Sequence, residues 1–372
     1  MSQLLIEPVV TGTQFTDFVE LPLRLHPRGR YVPLLQPQLR DWWRGQHPQA
    51  RFGPVRYFLA RRGHTVVGRI CLHHNPDFDA KLGSDTQLFG LAEFVDADSA
   101  QALLTLAEQE AGLAGRCQVI GPVALLPNQT GGVITSGFAE RGFMDSPWNP
   151  EHYPAAYEGA GYARIFTGQT WICDNFAELD PDTTFVFDEA RIADEGLRVQ
   201  PSGPVRLRRD LEDMRQVLNA SFAQLPYYTT ISKPDLAAQT EGLEALLDGS
   251  LFLRLTRRGE PIAFALVVPD ISEFVMARGG RLSLRDQAAL LATRGRYRDE
   301  AIIIIKGTSP QAQGHGYLTL LSRELLRNLQ AGGYRALRST FVEDENAASA
   351  SQYVRMGGRP LHGTAFYRKE IR

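Results

Sequence analysis

Residues Ser309 to Leu320 read SPQAQGHGYLTL. Before them stands an all-aliphatic run, Ala301 to Ile305. After them Tyr317 to Gln330 is amphipathic, with Leu318, Leu321, Leu325 and Leu329 at helical spacing. The order is therefore strand, turn, helix, and the turn carries two glycines, Gly314 and Gly316. A helix N-terminus offers free amides and a positive dipole, and glycine lets the backbone approach an anion closely. The stretch predicts a turn built to receive a phosphate.

Working outward, two segments resemble each other. YFLARRGHTVVGRICL (Tyr57 to Leu72) and LFLRLTRRGEPIAFALVV (Leu251 to Val268) each place a basic pair and a glycine between apolar strands, which predicts two β-hairpins. The turn glycines Gly63 and Gly259 are 196 positions apart, and so are Tyr157 and Tyr353, each followed by three residues and then glycine. A repeated offset at distant landmarks predicts one α/β unit used twice. The acidic, proline-containing stretch around Asp174 to Pro204 is expected to join the copies as loop. The expected division is 1–180, a linker at 181–204, and 205–372.

The copies differ at the opening motif. In the first, LFGLAEFV runs through DADSAQALLTLAEQEAGLAG directly into a helix, with Asp96 and Asp98 where the second copy has its glycine turn. Carboxylates there repel a phosphate, so only the second copy is expected to bind a phosphorylated cofactor.

Composition narrows the classes. The chain has 372 residues, 43% hydrophobic and 22% charged, enough for two or three packed domains. Its net charge of -2 supplies no basic field for nucleic acid or an anionic membrane, and Arg206 to Arg209 reads as a solvated face. Cys71, Cys117 and Cys173 are odd in number and widely spaced, as in a reduced, cytoplasmic protein. The N-terminus lacks the pattern of a secretory signal. Adjacent His73 and His74 point to opposite sides of a strand, so no metal is expected.

The second copy resembles the GCN5-related N-acetyltransferase (GNAT) family. That family's pyrophosphate turn reads Gln or Arg, two residues, Gly, one residue, then Gly or Ala, a spacing matched by Gln311, Gly314 and Gly316. A later signature is matched by Asn346, Ser349, Tyr353 and Gly357. Two departures are Gly307, at a usually aliphatic strand position, and Gly358, at a usually aromatic one. The whole chain is similar to a bacterial group of tandem acetyltransferase-like proteins. The resemblance implies an α/β fold of two tandem GNAT-like domains, each a mixed, mostly antiparallel twisted sheet flanked by helices.

It also implies a function, an N-acyltransferase passing an acetyl group from acetyl-CoA to a primary amine by direct attack in a ternary complex. The acceptor would be a small-molecule or peptide amine, with no nucleic acid, membrane or metal involved and the chain a monomer or homodimer. Acyl-CoA would lie on Gly307, Thr308, Gln311, Gln313, Gly314, His315, Gly316, Tyr317 and Asn346. Tyr353 would protonate the departing thiolate. The strand offers no carboxylate base, so Glu343 or Glu345, acting directly or through water, is expected to take the amine proton. Trp42-Trp43 and Tyr227-Tyr228 fall where acceptor-side helices are expected. Two alternatives stay open: an aminoacyl-tRNA-dependent transferase of the paired-domain type, and a non-catalytic CoA-binding module.

Overall fold

The computed structural model describes residues 4–125, 131–203, 205–240 and 247–371. The first half runs β1 (Leu4–Pro8), α1 (Gly12–Leu25), α2 (Gln36–Trp43), β2 (Arg56–Arg62), β3 (Thr65–His73), α3 (Pro76–Leu82), β4 (Thr86–Phe94), α4 (Ala97–Leu113), β5 (Gln118–Gly121), β6 (Val133–Ile134), α5 (His152–Gly159) and β7 (Ala163–Cys173). Two short helices follow, α6 (Pro181–Thr184) and α7 (Glu189–Glu195). The second half runs β8 (Leu197–Pro201), α8 (Leu207–Ser221), α9 (Lys233–Thr240), β9 (Phe252–Arg257), β10 (Glu260–Pro269), α10 (Ser272–Ala277), α11 (Leu284–Thr293), β11 (Glu300–Thr308), α12 (Tyr317–Ala331), β12 (Ala336–Ser339), β13 (Val342–Glu343), α13 (Ala347–Arg355) and β14 (Arg359–Glu370).

The expected hairpins are β2–β3 and β9–β10, and the repeated unit is present twice: parallel β4–β5 around α4, and parallel β11–β12 around α12. The copies keep their offset at both ends because two insertions compensate. The second copy adds α10 and α11 between its hairpin and β11, and the first adds the long segment between β5 and α5.

The stretch expected as linker is not loop. It holds α6 and α7, and β8 within it pairs with β9 from Leu197↔Arg257 to Pro201↔Leu253, so the second copy opens there. Nor do the halves divide cleanly along the chain. Among the described residues the strands form one 14-stranded sheet, ordered β1-β2-β3-β4-β5-β14-β7-β12-β11-β10-β9-β8, with β6 on β14 and β13 on β7. The last strand of each copy completes the other. β14 pairs with β5 from Tyr367↔Gly121 to Glu370↔Gln118, while β7 pairs with β12 at Cys173↔Leu337 and with β13 at Val342↔Gln169. β7 and β14 also pair with each other, from Arg359↔Ile172 to Arg368↔Ala163.

The cores follow this exchange. On the α4 side, Ala365 and Tyr367 of β14 join Leu103, Leu104, Ala107 and Tyr157. On the α12 side, Trp171 and Cys173 of β7 join Leu320, Leu321, Leu325, Leu329 and Tyr353. Leu318, expected in that stripe, is only partly buried, and Leu320 and Leu326 complete it. Fully burying a leucine contributes about 1.5–3 kcal/mol, so each half draws part of its stability from the other's strand. Among the described residues no helix is long and apolar enough to cross a membrane, and no three His, Cys, Asp or Glu side chains gather as a metal site.

Candidate active site

The two copies of the helix that follows the central strand begin differently. Asp96 caps α4: its carboxylate accepts from Ser99 N at 2.9 Å and from Ser99 Oγ at 2.8 Å, and Arg62 pairs with it at 2.9 Å. The hydrogen bond from Arg62 holds Asp96 down at about 2. The N-terminus of α12 has no side-chain cap. Gly316 stands at the cap position with φ 76°, Gly314 has φ 77°, and a Cβ at either would meet open space. Left-handed backbone, not crowding, is what demands glycine at both positions. Gln311, Gln313, Gly314, His315 and Gly316 are all exposed.

Around this turn the side chains divide. Tyr317 is 1% exposed and its hydroxyl donates to Glu195 of α7, while the carbonyl of His315 accepts from Arg191 at 3.3 Å. The His315 imidazole stacks on Tyr317 with centroids 5.5 Å apart. Tyr317 and the His315 carbonyl are thus engaged with α7, a helix that sequence reading left as linker. Asn346 caps α13, accepting from Ser349 N at 3.1 Å, so its side chain is occupied by the helix it starts.

Beyond the turn lies a gap in the sheet. β11 and β12 pair in parallel only from Glu300↔Ala336 to Ile303↔Ser339. Thr340 then reaches back, its N to Ile303 O at 3.2 Å and its hydroxyl to Ile304 O at 3.1 Å. The chain next forms β13, which pairs with β7 and not with β11. Ile305, Lys306 and Gly307 therefore have β10 on one side and the gap on the other.

The gap has two chemically different faces. On the α12 side Tyr353 is 4% exposed and stacks on Trp171 with centroids 6.0 Å apart. Burial beside Cys173 raises its hydroxyl above the usual phenol range, so it stays protonated. Lys306 Nζ lies 5.4 Å from that ring's centre and donates to Ser322 Oγ at 3.3 Å and to Gln352 Oε1. Burial pulls the Lys306 ammonium down to about 8. Sequence reading passed over Lys306, although a lone cation closing an aliphatic strand was its visible signal.

On the α8 side stands Glu343, whose neighbour Val342 belongs to the α12 core, so alternation sends Glu343 the other way. Burial, then Glu345 and Asp344, raise its carboxyl above the usual range, and the Tyr227 hydroxyl bonds to it. Tyr227 also meets Phe341 at 5.7 Å and Phe166 at 5.4 Å. Glu345 is exposed on the turn before α13. Of the other expected aromatics, Tyr228 packs on Phe222, Trp42 is core, and Trp43 stacks on Phe15 at 4.6 Å. His73 bonds the Val123 carbonyl at 2.8 Å and His74 pairs with Asp79.

The doubled unit is similar in structure to a solved tandem GNAT protein from the clavulanic acid biosynthesis pathway. That structure covers the present chain completely, is itself covered to 99%, and matches with TM-score 0.59 at 14% identity. The fold is tandem GNAT. No protein-family profile matches the chain. Among curated proteins, this chain is similar to Protein YghO of Escherichia coli (strain K12), 20% identical over 377 residues, covering 99% of the chain and 96% of the relative. It is also similar to a bacterial ceramide synthase of Caulobacter vibrioides, 23% identical over 297 residues, covering 76% of the chain and 74% of the relative.

Proposed function

We propose that the second half is an acyl-CoA-dependent N-acyltransferase that passes an acyl group, acetyl in the simplest case, to a primary amine in a ternary complex. The observation that carries this reading is the contrast between the two copies: one helix N-terminus is closed by Asp96, and the other is left open by Gly314 and Gly316 beside a gap in the sheet. The open amides suit a pyrophosphate. Gln311, Gln313 and His315 flank it, and Gly307 and Thr308 line the strand end that leads there. A thioester lying in the gap would meet a proton donor on one face and a carboxylate on the other.

Acyl transfer needs a neutral amine, a polarised carbonyl and a proton for the departing thiolate. In this reading the unpaired strand edge from Ile305 to Gly307 polarises the carbonyl. The amine enters from the α8 side, and Glu343 takes its proton directly or through water. Its raised carboxyl is the better matched to that task for being partly buried. On the opposite face Tyr353 hands its proton to the sulfur. Lys306, 5.4 Å from the ring centre, places a positive charge beside the phenol as the thiolate departs, and the phenolate regains its proton from solvent once product leaves.

The aromatic group of Tyr227, Phe341 and Phe166 beside Glu343 suits an amine carried on an apolar body. The similarity to a ceramide synthase adds lipid amines to the acceptors worth testing, ceramide being itself an N-acyl amide. The test is calorimetry with acetyl-CoA and longer acyl-CoAs, followed by turnover against a panel of small, peptide and long-chain amines. Binding with turnover supports the proposal. Binding without turnover on any amine favours a CoA-binding module, and no binding sinks the acyl-CoA assignment in favour of another donor.

A further inference from the structure

The second copy's insertion between β10 and β11, from Ile271 to Asp299, carries a helix whose outward face is apolar. α11 packs inward through Leu290, which joins Phe274, Val275 and Val32 of the first copy. At about 100° per residue, Leu284, Ala288, Leu291 and Ala292 fall together on the opposite face, and all four are exposed, Leu284 to 82% and Leu291 to 43%. Arg285 and Gln287 border that stripe. A surface helix ordinarily turns polar residues outward, and a helix apolar all round is a buried one. Among the described residues nothing covers this face.

Charge selects the occupant. The insertion holds six arginines against three carboxylates, Glu273, Asp286 and Asp299, a net of +3 in a chain whose total is -2. That total, from which no membrane contact is expected, averages over a local surplus. Asp286 is already tied to Arg278 at 2.8 Å and to Ser283 Oγ at 2.7 Å, and Asp299 to Arg335 at 2.8 Å. Arg281 and Arg298 pair with Glu20 and Asp248 yet keep 66% and 46% of their side chains exposed. Arg285 and Arg296 are exposed and pair with no carboxylate among the described residues. A second copy seated on this face would bring two arginine rims together, and like charges across an interface oppose it. An anionic lipid surface suits both features, taking the arginines at its headgroups and the leucines just beneath them. The place in the fold agrees. The insertion joins the end of β10 to the start of β11, at the opposite end of β11 from the glycine turn, so an anionic cofactor at that turn would stay clear of anionic lipid. Gln36 Nε2, donating to Gly279 O at 3.0 Å, holds the insertion against the first copy.

We infer that α11 is a docking face for an anionic lipid bilayer, lying along the surface with Leu284 and Leu291 toward the acyl chains and Arg285 and Arg296 among the headgroups. The inference does not depend on the acyl-CoA reading, since none of these residues lies in the gap or at the glycine turn.

The test is flotation of the full chain with vesicles of phosphatidylglycerol, or of phosphatidylcholine alone, at low and at high salt. The expected result is binding to phosphatidylglycerol at least about tenfold tighter than to phosphatidylcholine, and lost at high salt because exposed charges are screened. Leu284→Gln with Leu291→Gln changes side chains on the outward face, so the double variant should keep its thermal midpoint while losing about tenfold in affinity for phosphatidylglycerol vesicles. Arg285→Gln with Arg296→Gln should lose about twentyfold, near fivefold for each cation at an anionic surface, and flatten the salt dependence. Failure of the wild-type chain to float with phosphatidylglycerol vesicles overturns the inference. So does equal flotation with phosphatidylcholine, or affinity unchanged in both double variants. A dimer in sedimentation that dissociates in the leucine variant, with no vesicle binding by the wild type, assigns the face to a second copy and overturns it as well.

Discussion

Lys306 Nζ lies 5.4 Å from the centre of the Tyr353 ring, on the same side of the sheet as Ser322 and Gln352, which it bonds. The cation sits over the ring face, and the two side chains come from a strand and a helix separated in the chain by α12. Their pairing puts a buried phenol and an ammonium together on the α12 side of the gap, against the single carboxylate of Glu343 on the α8 side.

The first prediction concerns that lysine. Its ammonium titrates near 8 in the folded chain against 10.5 ordinarily, so burial penalises the charged form. Between about pH 8 and 10.5 the unfolded chain holds more protons than the folded one, and stability of the wild type therefore rises with pH across that window. Lys306→Met removes the titrating group. In urea unfolding the variant should gain most over wild type at pH 7, and the gain should shrink by pH 9.5. A difference that stays constant with pH contradicts the depressed ammonium.

Tyr353→Phe removes the phenol proton and keeps the stacking on Trp171. CoA affinity by calorimetry should hardly change, while single-turnover acyl transfer should fall about a hundredfold, the typical loss of a well-placed general acid. Equal rates in both proteins would leave Tyr353 as a core residue.

At the turn, Gly316→Asp and Gly314→Asp each put a side chain and a negative charge on left-handed backbone that faces open space. Both variants should fold and lose detectable CoA binding, because the obstruction lies on the approach to the amides and not in the core. Asp96→Ala in the first copy should instead cost about 1 kcal/mol of stability, as loss of a helix cap does, and leave CoA affinity untouched. Equal CoA affinity in all three variants would remove the turn from the cofactor site.

The strand exchange predicts mutual dependence of the halves. Residues 1–196 made alone lack β14 between β5 and β7, and residues 197–372 made alone lack β7 between β12 and β14. Each fragment should be insoluble or lack a cooperative melt, and co-expression should restore a soluble complex of the two. A cooperative transition in either isolated fragment would show that the exchanged strand is dispensable.

The sequence by itself determined the local units. Both hairpins, the strand-turn-helix around Gly314 and Gly316, the amphipathic face of α12 and the carboxylate at the start of α4 follow from patterns within about twenty residues, where periodicity and turn chemistry act. The asymmetry between the copies was legible for the same reason. Only the tertiary structure decided which strand fills which slot. β7 and β14 occupy equivalent places in their copies, and exchange depends on pairings between residues as distant as Gln118 and Glu370. It also decided the face of Lys306. Counting by twos from Ala301 and Ile303 sends Lys306 to the α8 side, but Ile304 is an extra residue between the pairs Leu266↔Ile305 and Val267↔Ile303. That bulge reverses the alternation and turns the lysine toward Tyr353, because side-chain direction in a strand is set by register with its neighbour and one inserted residue inverts every position after it.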